Sequence, residues 1–244
     1  LADITFRVRL EDCIDMPETS THTVYTELPK PLRAKYEELL EESLLMLKEG
    51  TITAVHAGAR MQKLLQLITG TVYDSEGEKV HMDTGRHALV AELVKERKQC
   101  LVAFNWRHER ESMSELFDKE GITYGVIDGT VSVKKRLEIV DQFQAGQLKV
   151  VLAHPKSAGH GLTLTAGTTT IWASPVYSSE SYEQFNHRIY RNGQTKKTET
   201  IRICAKNTAE VQVLKKLDKK CEGLHNVLDL FKELTGFDRE PCEV

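Results

Sequence analysis

From residue 86 onward short apolar runs alternate with amphipathic stretches, and no other feature of the chain restricts its fold as tightly. Cys100-Leu101-Val102-Ala103-Phe104 is apolar throughout, as a strand buried on both faces requires. Residues 108–119 follow with Met113, Leu116 and Phe117 at helical spacing, and Gly121 ends them. The pattern then repeats: a strand over 124–127, an Asp128-Gly129 turn, and a helix carrying Leu137, Ile139, Val140 and Phe143 until Gly146. Further strands are predicted over 149–153, 168–173 and 198–204, with helices over 179–190 and 209–219. Such alternation implies an α/β fold, a three-layer sandwich whose parallel sheet is joined by right-handed crossovers.

Residues 1–85 have a different texture. Between 31 and 50, Leu32, Tyr36, Leu39, Leu40, Leu44 and Leu47 recur among acidic residues, which predicts an amphipathic helix. A second helix is expected over 55–68, and a hairpin over 71–80 with Asp74-Ser75-Glu76-Gly77 at its turn. We therefore divide the chain into an N-terminal helical extension, 1–85, and an α/β domain, 86–244. Neither a repeat nor a low-complexity linker separates the two.

Composition excludes several classes. Hydrophobic residues make up 40% and charged residues 28% of the 244, the range of a soluble globular protein. No apolar run approaches the roughly 18 residues of a membrane span, and charges interrupt residues 1–13 too often for a secretory leader. The first residue is Leu, as in a fragment or processed chain. Five cysteines without C-x-x-C or zinc-like spacing read as reduced thiols of a cytosolic protein. A net charge of −3 argues against a uniformly basic nucleic-acid binder, so any such role falls to local clusters: Lys134-Lys135-Arg136, or residues 187–197. Most such clusters are merely solvated surface, a reading as open as the functional one for Lys134-Lys135-Arg136. Glu37, Glu38, Glu41 and Glu42 mark an acidic helix face.

Two stretches carry candidate chemistry. In Y-E-Q-F-N-H-R-I-Y-R-N-G-Q, residues 182–194, Arg188 and Arg191 are three apart on the predicted helix, with Gln184 one turn earlier on the same face. Paired guanidinium groups on a stiff element suit the spreading charge of a transferring phosphoryl group, although surface cations at a helix end would have the same spacing. Residues 157–164, S-A-G-H-G-L-T-L, follow a strand directly. Loops at the carboxyl ends of parallel strands bind ligands, and glycines admit phosphates close to backbone amides; a tight turn alone would also need them.

In order and spacing these stretches resemble the helicase motifs of the Swi/Snf-type superfamily-two ATPases, over most of residues 86–217. Leu101-Val102-Ala103-Phe104 is similar to motif IV, and Asp128-Gly129 with Arg136 and Phe143 to the D-G, R and F pattern that follows it. Ala158, Gly159, Gly161, Leu162 and Leu164 match motif V; Gln184, Arg188, Arg191, Gly193 and Gln194 match the more specific motif VI, Q-x-x-x-R-x-x-R-x-G-Q. Leu28-Pro29 and Tyr36 resemble the link between the family's two lobes. The chain departs from the family at His160 for glycine, Thr163 for asparagine, and Tyr177-Ser178-Ser179 for W-N-P. Its compact, insert-poor form looks more like a bacterial or phage relative than a chromatin remodeller.

The resemblance implies the C-terminal RecA-like lobe of a P-loop-NTPase-type motor. The chain has neither G-x-x-x-x-G-K-[ST] nor D-E-x-x, so the phosphate loop and the Mg2+ site are expected on an upstream RecA-like lobe. ATP would lie between the lobes, met by Gly159, Gly161, Gln184, Arg188 and Arg191, with the two arginines catalytic. Asn105, Arg107, Ser157, Ala158 and Gly159 would face double-stranded DNA, through the Ser157 hydroxyl and nearby amides; Trp106 is a candidate for that surface or an ordinary half-buried aromatic. No metal ligand is expected in this chain, and no membrane partner. The setting would be the cytoplasm of a bacterial or phage-infected cell, or a nucleus if eukaryotic. A rival reading is a non-catalytic docking or nucleic-acid-binding module on the same fold. A third, a stand-alone nucleotide-binding enzyme, would bind ATP through the Gly159 loop alone.

Overall fold

The computed structural model describes residues 15–48, 54–73, 79–82, 85–158 and 161–218. Six strands form one parallel sheet in the order β1-β8-β7-β4-β6-β5. These are β1 (Thr19–Thr26), β4 (Cys100–Ala103), β5 (Tyr124–Ile127), β6 (Val150–Ala153), β7 (Thr169–Trp172) and β8 (Thr198–Ala205). The helices between them are α3 (Arg86–Lys95), α4 (Arg107–Lys119), α5 (Val133–Gln144), α6 (Pro155–Ala158), α7 (Ser179–Asn186) and α8 (Ala209–Asp218).

Strand periodicity divides the core into layers. Cys100 and Val102 of β4, Val150 and Leu152 of β6, and Ile201 and Ile203 of β8 pack with Val90 and Val94 of α3 and Met113 and Phe117 of α4. The alternate residues, Leu101, Ala103, Val151, Ala153 and Trp172, pack with Ile139 and Phe143 of α5 and with Phe185. Trp172 is fully buried, its ring 5.0 Å from Tyr182 and 4.9 Å from Phe185. Burying side chains of this size stabilises the fold by roughly 1.5–3 kcal/mol each. On this face Gly125 is obligatory in another way: a Cβ there would meet Ile139 Cγ2 at 2.6 Å.

Local signals bound the helices where the sequence places them. Gly121 and Gly146 take φ of 67° and 77° after α4 and α5, and the hydroxyls of Ser132 and Ser178 accept from Lys135 N and Ser181 N at the starts of α5 and α7.

In the front segment α1 (Lys30–Lys48) and α2 (Ala54–Ile68) appear as expected, and β2 (Thr71–Tyr73) pairs antiparallel with β3 (Lys79–His81) as a hairpin. The hairpin turn, 74–78, lies outside the described residues. Leu32, Tyr36, Met61 and Leu64 gather with Cys204, Ala205, Val213 and Leu214 in a third core cluster, so the extension packs on the end of β8 and on α8.

The front segment is not helical alone, however. Residues 19–26 form the edge strand beside β8, paired from Thr19↔Thr198 to Thr26↔Ala205. Their sequence, TSTHTVYT, has no apolar alternation because an edge strand has little to bury; Val24 alone packs against the core beneath α3. Among the described residues no helix is long and apolar enough to cross a membrane.

Candidate nucleotide and nucleic-acid site

Neighbouring strands β4 and β7 send their connections to opposite faces of the sheet, β4 to α4 and β7 to α7, which opens a crevice at their carboxyl ends. Asn105 and Trp106 leave β4 there, His154 and Lys156 leave β6, and Pro175 and Tyr177 leave β7, around a cavity of about 160 Å³. Charges sealed beneath this crevice hold it in shape. Arg86 donates to both carboxylate oxygens of Glu210 (3.0 and 2.7 Å) and to Ala173 O (2.6 Å), while Glu210 also accepts from Ala205 N. Both side chains are essentially without exposure. Glu109, equally buried, accepts from Asn105 N, Trp106 N and Ser174 Oγ at 2.9–3.1 Å. Burial pushes its carboxyl up to about 7 despite those donors and Arg86.

This network changes the reading of Asn105. Its amide nitrogen donates to Ser174 O, Ser174 Oγ and Pro175 O at 2.9–3.1 Å, so it fastens the loop after β7 to the loop after β4. Trp106 is half-buried, against the cluster that holds α2. Arg107, one residue on, is exposed and pairs with Glu111 one turn along α4.

The stretch that resembles motif V begins as α6. Ser157 is half-buried, and its amide donates to His154 O at 2.9 Å. At Ala158 the methyl is fully buried and the amide also donates to His154 O, at 3.0 Å. A short helical turn after the strand uses both amides internally. Gly159 and His160 lie outside the described residues. Gly161 takes φ 67°, a left-handed conformation that excludes ordinary side chains at little gain in space, so its glycine is explained by the turn.

The helix carrying the motif VI stretch is shorter than the spacing predicts. It ends at Asn186, whose carbonyl accepts from Tyr190 N while its side-chain oxygen accepts from Trp172 Nε1. Arg188 and Arg191 therefore lie on the irregular turn beyond α7, not on the helix. The turn nevertheless keeps them together: both are half-buried and border one open cleft of about 450 Å³ with Gln184, His187 and Asn192. Neither side chain is locked in the core.

Two contacts brace this cleft against the motif V stretch. Arg191 Nη1 donates to Leu162 O at 3.1 Å, and Arg188 O accepts from Leu164 N at 2.9 Å. Burial and the neighbouring Arg191 charge hold the Arg188 guanidinium below its usual range. A polyanion entering the cleft relieves that repulsion. Gln184 Nε2 donates to Glu180 at 2.8 Å on the exposed side. Gln194, by contrast, is buried and donates to Thr165 O, Gly167 O and Ile189 O, so this member of the motif anchors the turn to the approach of β7. Sequence spacing selects Gln194 but is silent on this role, because its partners lie up to 29 residues away.

Arg188, Arg191, His187, Gln184 and Asn192 give the cleft donors that fit phosphate oxygens, and the carboxylates of Glu180 and Glu183 border it as well; among the described residues no group of three His, Cys, Asp or Glu side chains could hold a metal ion.

A parallel sheet with these strand-end loops and a paired-arginine turn defines a RecA-like lobe of the helicase type. Residues 85–193 match the helicase conserved C-terminal domain family. Protein p41 of Acyrthosiphon pisum secondary endosymbiont phage 1 is 26% identical over 229 residues, 90% of this chain and 48% of that protein. An Arabidopsis thaliana SWI/SNF-related regulator of chromatin, subfamily A member 3-like 1, is 35% identical over 127 residues, 51% of this chain and 14% of that protein. The fold is similar to the C-terminal part of the Fun30 ATPase domain, with TM-score 0.71, 14% identity and 90% and 97% of the two chains covered. It is also similar to the Sulfolobus solfataricus SWI2/SNF2 ATPase core in complex with double-stranded DNA, with TM-score 0.67, 19% identity and 89% and 47% covered. Residues 85–193 thus carry a helicase conserved C-terminal domain, on a fold similar to the C-terminal RecA-like lobe of SWI2/SNF2 ATPases. The chain spans less than half the length of these curated relatives.

Proposed function

We propose that this lobe completes the nucleotide site of an ATP-driven translocase on double-stranded DNA, as the half that supplies the arginines. The observation that carries the proposal is the shared cleft of Gln184, Arg188 and Arg191, braced through Leu162 and Leu164 to the loop after β6. ATP would sit between this cleft and an upstream RecA-like lobe, whose phosphate loop and carboxylates would hold Mg2+. Arg188 and Arg191 would then meet the charge that spreads over the γ-phosphate oxygens during hydrolysis. Gly161 would keep the loop backbone low beside the triphosphate, with Gly159 expected to do the same.

Nucleic acid would lie across the carboxyl ends of the strands. There the Ser157 hydroxyl and the Arg107 guanidinium would meet the phosphate backbone, in contacts independent of sequence and weakened by salt. Asn105 would act from beneath by holding the loop after β7. Closing and opening of the two lobes around ATP would shift this grip along the duplex. The family name of the relatives and the duplex-bound Sulfolobus core support this choice of nucleic acid.

The test joins this chain to its upstream lobe and measures DNA-stimulated ATP turnover. Arg188→Ala and Arg191→Ala should each lower kcat by about 10³-fold or more, the scale of an arginine finger. Losses below about tenfold in both would remove the arginines from the reaction.

A further inference from the structure

Arg136 belongs to the same motif series as the arginine cleft, yet it borders neither that cleft nor the crevice between β4 and β7. It projects from the first turn of α5, half-buried, and each side-chain nitrogen donates to a carbonyl from a different residue. Nε donates to Val131 O at 3.0 Å, Nη2 to Asp128 O at 2.8 Å and Nη1 to Ser157 O at 3.3 Å. Asp128 in turn accepts from Thr130 N (2.8 Å), Thr130 Oγ1 (2.6 Å) and Arg110 Nη1 of α4 (2.6 Å). One guanidinium thus ties the turn after β5 to the helix after β6, and Arg110 extends the tie to the segment after β4.

Only a planar fork spans three carbonyls in different directions; a lysine ammonium at the end of a flexible stem reaches one of them at a time. Among the described residues the partners of Arg136 are carbonyls, and it forms no ion pair. Its charge stays at the carboxyl end of the sheet, beside the half-buried Ser157.

We propose that Arg136 is a positioning residue for DNA engagement, one that holds Ser157 at a fixed place relative to the turn over residues 128–131. The inference rests on the translocase reading, in which Ser157 meets the DNA backbone. With the clasp intact, the strand-end loops bind the backbone as one pre-organised surface. Without it, each loop loses conformational entropy anew on binding, and DNA affinity falls while the arginine cleft is untouched.

The full-length protein with its upstream lobe provides the test, with two readouts: anisotropy of a labelled duplex, and ATP turnover against duplex concentration and against ATP. Arg136→Ala should raise both the duplex dissociation constant and the half-saturating duplex concentration about tenfold, with kcat at saturating duplex and KM for ATP within about twofold of wild type. Arg136→Lys, which keeps the charge and loses the fork, should stay within about threefold of the alanine variant, and it carries the same test if Arg136→Ala does not fold. Unchanged duplex affinity in either variant overturns the proposal, as does a fall in kcat at unchanged half-saturation. Full recovery by lysine also overturns it, because charge alone would then suffice. Failure of the translocase reading looks different: Arg188→Ala would leave turnover intact, while anisotropy would still report on Arg136.

Discussion

Around Arg188 and Arg191 two like charges sit side by side at an open cleft, braced by backbone contacts, and Arg188 is held below its usual range by burial and by its neighbour. Around Arg86 and Glu210 opposite charges are sealed from solvent and bound to each other twice over. Burial costs both arrangements solvation, and the second offsets it with an opposite charge held in place. Opposite charges sealed together serve the architecture, whereas like charges side by side at an open cleft are where the proposed function places the triphosphate. The comparison sorts the motif residues in the same way. Gln194, Asn105 and Arg136 bond mainly to backbone carbonyls across the fold, while Gln184 and Arg107 are exposed and Arg188 and Arg191, half-buried, line the open cleft.

The largest effect expected is the one on turnover: removing either cleft arginine from the two-lobed protein should raise the hydrolysis barrier by about 4 kcal/mol or more without moving the melting temperature of the lobe. A melting loss comparable to that of a core variant would erase the distinction between the two regions. Next comes Glu210→Ala, which strands the buried Arg86 guanidinium and should destabilise the lobe by about 3–5 kcal/mol, read from urea midpoints. A change under about 1 kcal/mol would mean that the sealed pair contributes little to the fold. Gly125→Ala should cost about 1–3 kcal/mol in the same measurement, because its methyl would run into Ile139 across the sheet–helix seam.

Glu109 sharpens the comparison through pH. Its folded carboxyl lies near 7, above the ordinary value of 4.5, so between these the native state holds a proton that the unfolded chain has released. Its contribution to stability is therefore greatest below about 4.5 and is lost as pH rises toward 7. Glu109→Gln should flatten that part of the stability profile relative to wild type; identical slopes in the two proteins would show that Glu109 does not titrate in this window. The smallest effect belongs to Arg107→Ala. As an exposed i,i+4 pair with Glu111 it should change stability by no more than about 0.5 kcal/mol, yet lower the salt dependence of duplex binding by about one phosphate contact. An unaltered salt slope would take Arg107 off the DNA surface.

Much of this was legible without coordinates, for identifiable reasons. A strand buried on both faces must be apolar throughout, so residues 100–103 and 150–153 announce themselves. Glycines at 121 and 146 mark helix ends because the left-handed conformation there admits little else. The edge strand over residues 19–26 was illegible for the converse reason: lying at the margin of the sheet, it need not alternate. The end of α7 was equally hidden, since Phe185 and Ile189 continue the helical spacing while the chain turns to bring Arg191 onto Leu162.

Sequence alone determined what local chemistry can determine: which segments are strands or helices, and which residue types stand at motif spacing. Those properties depend on side-chain periodicity and backbone freedom within a few residues. Tertiary structure alone decided which of those side chains remain available. Whether an arginine or amide is spent inside the fold depends on carbonyls and carboxylates brought near from distant parts of the chain, as Glu210 reaches Arg86 across 124 positions. No local pattern encodes that encounter, because it exists only once the sheet has assembled and closed around it.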